Sequence, residues 1–136
     1  MPDEQRPTVT SGEIGMFMLE IVGLIGIGRL GWHLGTSTAW SLSLSALFVA
    51  LSSAVWALFR TPGFVPGGGK PTIAVPGLVR VVIEIGFYAI ATVGLWISGW
   101  HIAAIVYGAG VVLVAWALRD RLAGLLANRP PEASAS

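Results

Sequence analysis

The chain has 136 residues, of which 54% are hydrophobic and only 11% charged, with a formal net charge of +1 and no cysteine. A soluble domain carries about a quarter charged residues, so the composition points to an integral membrane protein rather than a soluble one. The near-neutral charge gives no electrostatic case for nucleic acid, and the missing cysteines exclude disulfides, thiolate chemistry and cysteine metal sites.

In chain order, residues 1–12 are polar and proline-bearing and read as a disordered cytoplasmic tail. A bilayer core needs about 20 apolar residues per helix, and four runs qualify, at about 14–35, 39–59, 77–98 and 102–118. "TSGE" (Thr10 to Glu13) fits a capping box at the start of the first. Asp3 and Glu4 precede that run, and Glu20 and Arg29 lie within it. A signal peptide has a basic start and a clean apolar middle, so the segment is a retained helix. Between the second and third runs, "RTPGFVPGGGKPTIAVPG" holds four prolines and five glycines. Proline blocks helix continuation, so 60–76 is a loop. The turns at "GTST" and "SGW" are short and make antiparallel hairpins. Residues 121–136 read as a C-terminal tail, disordered over "NRPPEASAS". The expected fold is all-α: an integral membrane four-helix bundle of two antiparallel hairpins over 13–120.

Basic residues set the orientation. Arg6, Arg60, Lys70, Arg80, Arg119, Arg121 and Arg129 fall in or beside the tails and the long loop, whereas the hairpin turns have none. The positive-inside rule puts both tails and the loop in the cytoplasm of a bacterial cell, and Trp32, Trp40, Trp96 and Trp100 form an aromatic belt at the other face of its inner membrane.

"GIGRLG" (Gly26 to Gly31) has the G-x-G-x-x-G pattern of a dinucleotide site. That site needs a strand before the glycines and an acid about 20 residues on. The glycines here sit inside a membrane-length run, and no Asp or Glu occurs between Glu20 and Glu84. No cofactor is expected. Gly23, Gly26, Gly28, Gly31 and Gly35 are read as a thin face for close helix approach, and Ser37, Ser41, Ser45 and Ser52 as a small polar contact face of the second helix. "PGGGK" fails as a P-loop, because Pro71 stands where Ser or Thr is required.

The intramembrane polar candidates are Glu20, Arg29, His33, Arg80, Glu84 and Tyr88. Glu20 and Glu84 lie at similar depths on the inner half, and two nearby carboxylates can share a proton. Arg80 precedes Glu84 by four residues and faces the same way. Tyr88, four residues on, can donate a hydrogen bond to Glu84. Arg29 is nine residues after Glu20, on the opposite face, so it cannot pair with it and snorkels toward the outer headgroups. An anion site built by Arg29 and His33 is the alternative. Two histidines are too few for a metal site, and no Ser-His-Asp or metal-ligand spacing appears. "LEIVGLIGIGRLGWHLG" aligns with "IEIGFYAIATVGLWISG", Glu20 on Glu84 and Trp32 on Trp96, an echo of two similar hairpins.

"FMLEIVGLIGIGRLGWHLG", "VWALFRTPG" and "VPGLVRVVIEIGFYAIATVGLWISGWH" resemble the YrdB-like family of small bacterial membrane proteins, over roughly Met16 to Val114. The resemblance implies four helices and carries no activity. Arg29 departs from the family, which usually has an uncharged residue there, and the turn "SGWH" has one residue inserted. Only "LEIVG" resembles the first helix of small multidrug transporters. The expected function is non-enzymatic: a membrane protein acting through helix contacts, as a homo-oligomer or an accessory subunit of a larger complex, with the lipid bilayer and membrane subunits as partners. The alternative is a small proton-coupled transporter or channel using Glu20 and Glu84.

Overall fold

The computed structural model describes residues 11–62 and 70–127. Thr10, both tail ends and the middle of the long loop lie outside the described residues. The main elements are helices: α1 (Ser11–Leu34), α2 (Thr38–Leu58), α3 (Gly77–Ile97), α4 (His101–Ala117) and α5 (Arg119–Leu126). The fold is all-α apart from a two-residue parallel pair, β1 (Phe59–Arg60) with β2 (Ile73–Ala74), in register Phe59 to Ile73. Parallel pairing needs a crossover of a dozen or so residues, which the Pro/Gly-rich segment supplies. The pair, with Val75 N–H donating to the Arg60 carbonyl at 3.0 Å, draws the start of α3 back beside the end of α2.

The turns have local causes. Ser37 caps α2 from an extended backbone, its hydroxyl accepting from the Trp40 N–H at 3.3 Å. α3 ends with Gly99 at φ +83°, in the left-handed region that favours glycine. Trp100 N–H then donates to the Leu95 carbonyl and Gly99 N–H to the Trp96 carbonyl, both at 3.0 Å. These two bonds satisfy carbonyls left open by the helix end and reverse the chain into α4.

α1 is the central helix, packed against α2, α3 and α4. The best-buried core, Ile27, Phe87, Ala91, Leu95, Ala104 and Tyr107, lies where α1, α3 and α4 meet. α1, α2 and α3 are each long and apolar enough to cross a membrane, and α4 with α5 gives a fourth span if that pair, bent by 72°, counts as one.

α5 is the departure from the tail expected from residue 121 onward. The chain remains helical after Leu118 but turns sharply, and Leu125 becomes fully buried with its carbonyl directly against Gly77. No proline or glycine occupies the bend at Leu118. The bend takes Arg119, Asp120 and Arg121 off the apolar course of α4 and carries Arg121 under the bundle.

Candidate functional site

Glu84 lies on α3 two turns from its start and is 5% exposed. Arg80, one turn earlier on the same face, is 2% exposed and donates from Nε to Glu84 Oε1 at 3.1 Å. Its Nη1 donates to the carbonyls of Trp56 at 2.9 Å and Phe59 at 2.7 Å. The last carbonyls of a helix have no partner within it, so Arg80 caps α2 from a neighbouring helix. Its guanidinium also stacks over the Trp56 ring, 4.3 Å from the centroid. Arg121 of α5 completes the group, donating from Nη2 to Glu84 Oε1 at 2.9 Å and from Nη1 to Oε2 at 3.2 Å. One carboxylate thus joins α3 and α5, while its arginine neighbour joins α3 and α2.

Glu20 is half-buried on α1. Its carboxyl lies in the electrostatic reach of Arg60, Arg80 and Glu84 and beside the Trp56 side chain. No ion pair within 4.0 Å forms at Glu20 among the described residues. Three N–H donors from two arginines meet the Glu84 oxygens. Among the hydrogen bonds of the described residues, none joins Tyr88 to Glu84. Its ring lies edge-on to Trp56 and Phe87, at 5.9 and 5.4 Å between centroids. The hydroxyl that bridges helices belongs to Tyr107, which donates to the Leu19 carbonyl at 3.1 Å.

The glycines of α1 serve two faces. Gly31, Gly28 and Gly35 meet α2. A Cβ at Gly31 would stand 2.7 Å from the Leu44 carbonyl atoms and 2.8 Å from Ser45 Cα, and one at Gly28 3.1 Å from the Ser45 hydroxyl. Gly35 lies against the Ser41 backbone and hydroxyl. Gly23 and Gly26 meet α3 and α4. Gly23 faces the Phe87 ring and the Tyr107 hydroxyl, while Gly26 faces the Ala91 carbonyl and is itself met by Gly94. Small residues let the helix backbones touch, the usual basis of helix association where no hydrophobic force acts.

At the other end of α1, Arg29 stacks on Trp100, 4.9 Å from the ring centroid, with its Nε buried and unpartnered. His33 stays exposed in the last turn. The structure thus turns Arg29 onto the Trp100 ring at the second hairpin turn. No group of three or more His, Cys, Asp or Glu suited to a metal occurs among the described residues.

Sequence reasoning missed Arg121 and Trp56 as partners. One signal for Arg121 was available: no proline occurs between Pro76 and Pro130, so nothing in that stretch requires the helix to stop at residue 118.

This helical chain, with its long apolar helices and a buried Glu84 paired to Arg80 and Arg121, matches the family model described as "Protein of unknown function (DUF2568)" over residues 14–114, and the chain belongs to that family. It is similar to the uncharacterized protein YrdB of Bacillus subtilis (strain 168), 30% identical over 97 residues that cover 71% of this chain and 78% of the relative. This agrees with the resemblance read from the residues. No solved structure gives a match.

Proposed function

We propose that the chain is a non-enzymatic, four-pass protein of the bacterial cytoplasmic membrane that acts through helix contacts, as a homo-oligomer or as an accessory subunit of a larger membrane complex. One observation carries the reading: the apolar surface faces outward while the Glu84 charge is paired inside. Large apolar side chains on α2 and α4 are open to the surroundings, among them Leu42, Leu51, Ile102, Val106 and Leu113. Such a surface is costly in water and fits hydrocarbon. Trp32, Trp40, Trp96 and Trp100 are all exposed around the two hairpin turns, which supports a headgroup-level belt there and both termini on the opposite, cytoplasmic side.

The rival reading, a proton-coupled transporter, rests on Glu20. Its carboxylate is half-buried and outside the arginine pairing. A protonated carboxyl and a glutamine have nearly the same shape, so Glu20→Gln keeps the protein folded in either reading. Wild-type protein in liposomes with an imposed pH gradient is expected to give no proton flux above empty vesicles, and Glu20→Gln the same. Wild-type flux that disappears in Glu20→Gln replaces the helix-contact reading with the transporter.

A further inference from the structure

The two hairpins are closed differently. In the first, glycines of α1 receive the backbone of α2 directly. In the second, Gly108 of α4 has nothing within 4 Å of where a Cβ would stand. The space left forms an open groove of about 370 Å³ between α3 and α4, within the size range of small-ligand sites, roughly 300–1,000 Å³. Its walls are apolar, with Val81, Ile85 and Ala89 on one side and Val111, Val114 and Ala115 on the other. Along α3 the lining runs from Val81 to Thr92, about 16 Å of helix. Arg121 and Glu84 stand at one end, the end proposed to face the cytoplasm.

We propose that this groove binds one anionic phospholipid, with an acyl chain along α3 and α4 and the phosphate at Arg121. The lining selects the chain: it is apolar along both helices, which suits a hydrocarbon chain, while the charged groups stand at one end only. The charge selects the headgroup. Around the groove's end, three guanidiniums, Arg60, Arg80 and Arg121, outnumber the carboxyl groups of Glu20 and Glu84, so a positive excess remains whether Glu20 is charged or protonated. Asp120 and Arg119 beside them are both exposed and offset each other. Arg121 is the cation with access to the groove, its side chain 27% exposed. A guanidinium carries five N–H donors, and two bonds go to Glu84, so donors remain for a phosphate.

The inference rests on the membrane reading above and is tested separately from it. Purified wild-type protein in mild detergent, offered equal amounts of phosphatidylglycerol and phosphatidylcholine, is examined by native mass spectrometry. The expected result is one phosphatidylglycerol per chain at about fivefold higher occupancy, the worth of one arginine at an anionic surface. Arg121→Gln removes the preference. Gly108→Leu fills the groove and loses the lipid, while Gly86→Leu, which adds the same bulk at another open position that does not line the groove, keeps it. Equal occupancy of the two lipids by the wild type overturns the proposal, and so does full retention by a folded Gly108→Leu. The headgroup comparison on the wild type decides the matter even where a variant does not fold. A chain that resists alkaline extraction from membranes but shows no headgroup preference leaves the membrane reading standing and removes only the lipid site.

Discussion

Glu84→Gln is expected to lower stability by about 3–5 kcal/mol, the usual cost of breaking a buried ion pair by removing one partner. Arg80 is too deeply buried to recover the loss from water, and its remaining partners are two backbone carbonyls and the face of Trp56. Arg121→Gln is expected to cost less, about 1.5–3 kcal/mol, the range for a hydrogen bond to a charged group. Arg121 is partly exposed, and Glu84 keeps Arg80 after its removal. The double variant is expected to cost less than the sum of the two, because both changes break the same contact. Reversible unfolding in mixed micelles measures all three. A Glu84→Gln protein within about 0.5 kcal/mol of wild type, the range of a neutral surface change, contradicts a charged group bridging α2, α3 and α5.

Gly31→Leu is the second large effect. The obstacle at Gly31 is main chain of α2, at Leu44 and Ser45, rather than the end of a flexible side chain. A side chain there cannot be accommodated by a rotamer change, so α1 and α2 must separate along the contact that Gly28 and Gly35 share. Forcing bulk into a packed contact costs about 1–3 kcal/mol or more. The larger figure is expected here, together with loss of the native band in mild detergent. Gly31→Ala is expected to show a smaller loss of the same sign. Wild-type stability in Gly31→Leu means that α1 and α2 do not meet at this face.

The helices were legible because the long apolar runs are separated by residues that stop them: Gly35 with Ser37, the proline-rich loop, and Ser98 with Gly99. The Arg80–Glu84 pair was legible from a spacing of four on one helix. The rest of the site depends on distant contacts. Arg121 reaches Glu84 across 37 residues, and only because the chain bends at Leu118, where no proline or glycine marks the bend. Trp56 gained its place from the tertiary position of Arg80, which no local pattern specifies. For Tyr88, helical spacing correctly put it one turn from Glu84, but spacing does not say whether a ring turns toward a carboxylate or toward other rings. The glycine face of α1 was readable as a contact, while its division between α2 on one side and α3 with α4 on the other was not. The groove was invisible for a related reason: Gly31 and Gly108 are the same letter, and only the fold decides that one is pressed against backbone and the other opens onto space.

The central claim, a chain crossing the membrane four times with its charged end and both termini inside, is tested most directly by thiol labelling of single cysteines in intact cells. The wild-type chain has no cysteine, so each introduced thiol reports alone. Thr36→Cys and His101→Cys, at the two hairpin turns, are expected to react with an impermeant maleimide, and Ser134→Cys only after the cells are opened. Labelling of Ser134→Cys in intact cells, with the two turn positions protected, contradicts the account.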